Sequence, residues 1–437
     1  MNILVITNTP WATEYGLGNT LDNIFGGIDG LSFANIYCRY GTPNNSVTCQ
    51  YYQITERSLL KNLINKAVPS GKRIEVDSKV SPNADNDAFI GFNKARKMRL
   101  QLFFWGRDLI WKIGRWKSPD LDRFIEEFKP DLIFQPIYPF GYINDINLYI
   151  QHKYNIPEIG YYVDDNVSLR QFNLSPLYWI DRLIKRKKVI KVIKCCTLLY
   201  VISDIQKQEV EKDFQIESKL LTKSSYFNSC PPTWKTPDGT VSLLYAGNIG
   251  DGRWKTLAII ARAINQLRND GYDIKLSIYT ATPLSNDIKK SLQVDGCQLN
   301  GPITSKEVQI KQQEADVMVH VEGLSLKSRL AVHQSFSTKL VDFFSMGKCI
   351  FAMGTLDEAS ILHLHENDAA IIAFDEKGAL EQLRRICENP QVINEYGKKA
   401  YHCGAQFHNK EKMNQMIIDD FSRICKKNDN ISSQHGV

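Results

Sequence analysis

Short apolar runs alternate with amphipathic stretches along the whole chain. Residues 2–9 (NILVITNT), 130–134 (PDLIF), 156–164 (IPEIGYYVD), 198–203 (LLYVIS), 241–246 (VSLLYA), 274–279 (IKLSIY) and 315–320 (ADVMVH) are runs of this kind. Near-continuous apolar runs are the pattern of parallel strands covered on both faces. A further strand is expected over 36–39. Between the runs, helical spacing appears at Leu21, Ile24 and Phe25, over 120–128, over 256–268 and over 409–425. Strands alternating with helices predict an α/β fold. Residues 226–240 carry Pro231-Pro232 and Pro237-Asp238-Gly239, the turn chemistry of a linker, and the domain boundary is expected there. The division that follows is 1–235, 236–408, and a terminal helix and tail over 409–437. The polar stretch 66–88 is expected to be a loop.

Length agrees with two domains, since 437 residues exceed what one core usually holds. No run of 18 apolar residues exists, so no membrane-spanning helix is expected. The N-terminus has no basic region ahead of its first strand, so a signal peptide is not expected, and the protein is expected in the cytoplasm. Ten cysteines are scattered without a C-x-x-C, which suits reduced thiols rather than a disulfide framework or zinc site.

Charge changes the picture more. The net charge is +6, and all of the excess lies in residues 1–240, where 31 basic residues face 25 acidic ones. Two stretches concentrate it. Residues 94–117 interleave basic residues with Phe103, Phe104, Trp105, Trp111 and Trp116, and 178–194 carry seven Lys and Arg within 182–194. Both suit an anionic membrane surface, making the protein peripheral on the inner face of the cell membrane. Core helices with solvated charges would look the same. No nucleic-acid motif accompanies the basic stretches, and no nucleic-acid partner is expected.

Three places carry candidate ligand chemistry. Gly16, Gly18 and Asn19 follow the first strand, where a glycine loop lets backbone approach a ligand. Asp164 and Asp165 end the strand 156–164, at the sheet edge where open α/β folds bind ligands. Strand 241–246 leads into Gly247-Asn248-Ile249-Gly250-Asp251-Gly252, then Arg253 and Lys255. A strand, a glycine loop and a helix together offer backbone N–H groups and fixed cations to phosphate.

The densest stretch is 333–354, HQSFSTKLVDFFSMGKCIFAMG. It reads as a turn, a nearly all-apolar helix and a buried strand. Ser335, Ser337 and Thr338 are cap candidates, and Gly347 suits the left-handed position that ends a helix. Lys339 and Asp342 lie three apart on one face. A helix start with hydroxyls and a lysine suits a phosphate, and the carboxylate suits a ribose. His363-x-His365 reads as a surface pair, while His320 and His333 flank this region. No metal site is expected.

Residues 333–350 resemble the nucleotide-sugar-binding helix of retaining glycosyltransferases with two Rossmann-like domains, the GT-B fold. Gln334 and Asp342 stand at the positions of that family's Glu-x7-Glu, ahead of Gly347-Lys348-Cys349-Ile350. The Ser-Thr-Lys turn is similar to that of bacterial cell-surface polysaccharide (group 1 type) enzymes. The resemblance implies two Rossmann-like domains across a cleft, with a last helix crossing back to the first. It implies a donor site at Gly247, Asn248, Gly250, Ser337, Thr338, Lys339 and Asp342, with Pro302 and Ile303 at the nucleobase. Arg253, Lys255 and Gln334 take the catalytic positions. A saccharide or lipid-linked acceptor would meet Gly16–Asn19, Asp164 and Asp165. It implies hexosyl transfer with retention in surface polysaccharide or glycoconjugate synthesis, with no metal or cofactor. Two other readings remain open, a sugar-nucleotide epimerase and a non-catalytic nucleotide-sugar-binding subunit.

Overall fold

A computed structural model describes residues 1–47, 49–75, 101–227, 231–234 and 236–434. The first domain is one sheet in the order β4-β3-β2-β1-β5-β6-β7-β8. Its strands are β1 (Asn2–Thr7), β2 (Ser32–Tyr37), β3 (Cys49–Ile54), β4 (Gly71–Ile74), β5 (Leu132–Pro136), β6 (Glu158–Tyr162), β7 (Leu198–Val201) and β8 (Ser218–Leu220). All pairings are parallel except β3 with β4. The second sheet runs β11-β10-β9-β12-β13-β14, parallel throughout. Its strands are β9 (Val241–Ala246), β10 (Ile274–Tyr279), β11 (Cys297–Asn300), β12 (Val317–Val321), β13 (Cys349–Met353) and β14 (Ile371–Ala373).

The apolar runs became strands for the expected reason. β5, β6, β7, β12 and β13 are buried at every position, because helices cover both faces. In each sheet the strand order reverses once, between β1 and β5 and between β9 and β12. A crevice forms at such a reversal outside the carboxyl ends of the strands, and ligands of open α/β sheets bind there.

Several expectations are corrected in detail. β3 and the helix Glu56–Ile64 are additional elements. Strand β2 lies earlier than 36–39, and part of the expected loop 66–88 is the antiparallel edge strand β4. Residues 76–88 of that loop and 94–100 of the first basic stretch lie outside the described residues. The remainder of that stretch forms the helix Gln101–Ile113.

The last helix, Lys410–Gln434, crosses back to the first domain. Its Met413, Ile417, Phe421 and Ile424 join the core of β1, β5 and the helix Gly16–Phe25. Phe421 packs against Phe25 and Phe134 at 6.3 and 6.4 Å, and buried Asp420 accepts from Tyr200 Oη at 3.0 Å and from Lys219 at 2.5 Å. The chain passes between the domains twice, and the two passages pair. Ser225 N donates to His408 O at 2.9 Å, and Lys410 N donates to Ser225 O at 2.8 Å. Beyond Ser225 the connector already lies on the second domain. Phe227 packs on Tyr401, and Trp234 Nε1 donates to Gly347 O at 2.9 Å.

Candidate active site at the β9–β12 reversal

The loop leaving β9 is built to leave its backbone open. Asn248 Oδ1 accepts from Gly250 N at 2.7 Å and from Thr282 Oγ1 at 3.0 Å, which folds the loop on itself and braces it from β10. Asp251 and Gly252 both take positive φ, 51° and 85°, and Gly252 caps the helix Arg253–Asn269. That helix starts three residues earlier than expected, with a consequence for its cations. Arg253 and Lys255 become helical neighbours two apart, and such neighbours face different sides.

Arg253 turns into the crevice. Its Nε and a terminal nitrogen reach Glu322 Oε2 at 2.9 and 2.7 Å. Lys255 is exposed and sets its ammonium 5.6 Å from its neighbour's indole, Trp254. The structure therefore turns Lys255 away from Arg253.

Lys339 takes the place beside Arg253. It opens the helix Thr338–Ser345, whose cap residue Ser337 makes no side-chain capping bond. Ser337 N instead donates to Ser360 Oγ at 2.9 Å, and Thr338 is exposed. Lys339 Nζ donates to Ala246 O at 2.7 Å and lies 5.7 Å above the Tyr245 ring. Surrounding protein, then the Arg253 charge, lower the Lys339 pKa, while Glu322 opposes that shift. Gly247 makes the reach possible, because a Cβ there would stand 1.9 Å from Lys339 Nζ. Two cations from distant segments thus meet at the end of β9, against an uncapped helix start.

Two residues stand behind them: Glu322, which the sequence reading did not single out, and His320, which it placed beside this region. Glu322, just past β12, is buried and fixed by its backbone, accepting from Thr256 Oγ1 at 2.7 Å and donating to Met353 O at 3.0 Å. Burial raises its pKa while Arg253 and then Lys339 pull it down. His320 is buried in β12 with its Nε2 3.7 Å from Glu322 Oε1 and without a hydrogen-bond partner. Burial first, then Arg253 and Lys339, depress its pKa to about 3, so the imidazole is neutral. The signal for Glu322 in sequence was position alone, at the end of a strand beside the order reversal.

Pro302 and Ile303 follow β11 on the same sheet edge. β11 lies two strands from β9, about 10 Å at ~4.8 Å per strand. Asp342 is half-exposed and pairs with Lys223 of the interdomain passage at 2.5 Å.

Gln334 faces the first domain. It is buried, with its Nε2 donating to Glu209 Oε2 at 2.5 Å and its backbone oxygen accepting from Ser203 Oγ at 2.7 Å. Both partners belong to the first domain. Glu209 also receives Arg170 and His333, the latter at 3.1 Å, so these residues bracket the domains together. His363 is corrected. It packs between Phe336 and Phe407 beside His408, with the Nε2 atoms 3.4 Å apart, at the interdomain passage. Burial lowers its pKa to about 4.

On the first domain, Gly16 is exposed with open space around it, and Asn19 is exposed. Gly18 is a packing glycine, since a Cβ would stand 2.1 Å from Ala12 O. Asp164 is exposed after β6; nearby protein and then Asp165 raise its pKa. Asp165 is spent on its own loop, accepting from Ser168 N at 2.8 Å and from Arg182 at 3.3 Å. At the β1–β5 reversal the polar group is Asn8, whose Oδ1 accepts from Tyr142 Oη at 2.7 Å and from Arg39 Nε at 3.3 Å. Among the described residues, no three His, Cys, Asp or Glu side chains are grouped to hold a metal.

No protein-family model matches the sequence, and no curated protein matches it. Solved structures do match. HepE of Anabaena in complex with UDP aligns with a TM-score of 0.60 at 10% identity, over 97% of this chain and 100% of its own. Sucrose-phosphate synthase of Thermosynechococcus elongatus aligns at 0.58 and 11% identity, over 97% and 98%. The E. coli trehalose-6-phosphate protein bound with UDP-2-fluoro glucose aligns at 0.56 and 9%, over 97% and 99%. The chain has the GT-B fold of these proteins.

Proposed function

We propose that this chain is a glycosyltransferase that moves a sugar from a nucleoside-diphosphate sugar to a saccharide acceptor. The observation that carries the reading is the meeting of Arg253 and Lys339 at the end of β9, beside an uncapped helix start. Departure of the diphosphate builds negative charge on its oxygens, and cations positioned where that charge develops stabilise it. Glu322 holds the Arg253 fork in place, and the neutral imidazole of His320 leaves a nitrogen for a ligand hydroxyl or phosphate. UDP, UDP-glucose and UDP-2-fluoro glucose in solved structures of the same fold support a nucleotide-sugar donor. Asn8, Asp164 and the exposed Gly16 and Asn19 at the start of the helix Gly16–Phe25 are the candidates for the acceptor on the first domain.

We extend the reading to a hexosyl transfer with retention, without a metal, in the synthesis of a cytoplasmically assembled polysaccharide or glycoconjugate. Two fixed cations do the work that a metal ion would otherwise do at the diphosphate. The commitment of Gln334 to the first domain favours one competing reading, nucleotide-sugar binding without turnover. Incubation with UDP, GDP, TDP and CMP sugars, with release of the nucleotide followed in EDTA, decides. Release of one nucleotide in EDTA supports metal-free transfer. Thermal stabilisation without release supports the binding subunit, and activity restored only by manganese overturns metal independence.

A further inference from the structure

The helix Pro176–Cys195 presents one face to solvent, and that face is divided in two. Leu177, Ile180, Ile184, Lys187, Lys191 and Lys194 are all exposed. Their spacing alternates three and four residues, which keeps them in one stripe along the helix. The first three are apolar and the last three are lysines. Val189, Val192 and Ile193 occupy the buried side.

The other cations of this helix are engaged within the molecule. Arg182 donates to Ser168 O at 2.7 Å, Lys185 pairs with Asp181 at 2.6 Å, Arg186 donates to Val167 O at 2.8 Å and Lys188 pairs with Asp145 at 2.6 Å. The sequence shows seven equivalent cations, whereas the structure sets three of them in the outward stripe.

The apolar half of the stripe continues into the preceding loop. Leu169, Phe172 and Leu174 are exposed, Leu174 at 88%. Trp179 Nε1 donates to Asn173 O at 2.8 Å, folding the loop against the helix so that both apolar sets adjoin. Trp105 Nε1 donates to Asp181 Oδ1 at 3.1 Å, which brings the helix Gln101–Ile113 alongside with its own exposed Leu109 and Ile113. An exposed apolar patch of this extent marks an interaction site rather than ordinary surface. Its position is equally specific, because Arg170 in the same loop reaches Glu209 and His333 at the interdomain cleft.

We propose that this face docks on an anionic lipid bilayer, so that the acceptor is a lipid-linked saccharide entering the cleft from the membrane. The proposal rests on the glycosyl-transfer reading for the acceptor alone. The division of the stripe identifies the occupant. Apolar side chains at the loop and first helical turns enter the headgroup–acyl boundary, about 5–10 Å deep, while the lysines further along meet lipid phosphates. A protein partner would match the apolar patch but would not call for three lysines in line with it. No helix among the described residues is long and apolar enough to cross a membrane, so the association is peripheral.

The test is co-sedimentation of the full chain with vesicles of phosphatidylcholine alone or mixed with phosphatidylglycerol, at low and high salt. Binding to the mixed vesicles only, weakened by salt, is expected. Lys187→Gln, Lys191→Gln and Lys194→Gln together should weaken it about a hundredfold, at roughly a factor of five per near-surface cation. Phe172→Ser, Leu174→Ser and Ile184→Ser together should abolish it, while Lys185→Gln, whose ammonium pairs with Asp181, should change it little. Titration of a nucleoside diphosphate into the same variants reports on fold and donor site separately. It should be unchanged, and its failure in the wild type would count against the donor reading while leaving the docking result standing. No pelleting of the wild-type chain with mixed vesicles overturns the proposal. So does a concentration-dependent dimer, lost in the serine variant, in a chain that ignores vesicles.

Discussion

Lys339 reaches Ala246 O only because residue 247 has no side chain, and this makes Gly247 a residue-scale test of the site. In Gly247→Ala the new Cβ meets the far end of a flexible lysine, which swings aside. Melting should therefore change by less than about 1 kcal/mol, while nucleoside-diphosphate affinity falls roughly tenfold, at about 1.5 kcal/mol for one charge-assisted bond. Equal losses of stability and affinity would assign the glycine to packing. The proposed phosphate chemistry can be read in the sequence because glycine, arginine and lysine types announce it. Its geometry is less legible. Lys255 was grouped with Arg253 because the helix start was placed at 256, and three residues of error turn one side chain away from the other. Glu322 was not legible, since a glutamate after an apolar run looks like a solvated strand end until its neighbours are known.

At the scale of elements, β strands and their order of appearance follow from apolar runs, because helices on both faces demand them. β3 was missed because CQYYQI is polar and aromatic rather than aliphatic. β6 carries a prediction of its own. Glu158, its first residue, is fully buried, accepts from Asn147 Nδ2 at 2.8 Å, and has its pKa raised to about 7 by burial. The unfolded chain releases that proton near 4.5 and the folded chain near 7, so deprotonation favours unfolding across the interval. The group's contribution is full below 4.5 and is lost as pH rises through 7. Glu158→Gln removes the titration, so its stability relative to wild type should improve by about 3 kcal/mol from acid to slightly alkaline pH. Denaturant melts of both proteins across that range check the slope, and parallel curves would refute the assignment.

At the scale of the molecule, two paired chain passages and a polar bracket are among the links that join the domains. The bracket centres on Glu209, whose pKa burial raises but bonds from Gln334, Arg170 and His333 lower overall. Glu209→Ala should open the cleft, seen as a larger radius of gyration in X-ray scattering, and an unchanged radius would assign closure to the other links. This is where the sequence misled most. Gln334 occupies a motif position, yet its role depends on a helix of the other domain that no local pattern reveals. The claim on which the rest depends is that Arg253 and Lys339 together hold the donor diphosphate. It is tested most directly by calorimetric titration of UDP, GDP, TDP and CDP into the wild-type chain and three variants. The best-bound nucleotide should lose about tenfold or more in Arg253→Ala and in Lys339→Ala, and keep its affinity in Lys255→Ala. Undiminished affinity in both of the first two variants, or an equal loss in the third, would contradict the account.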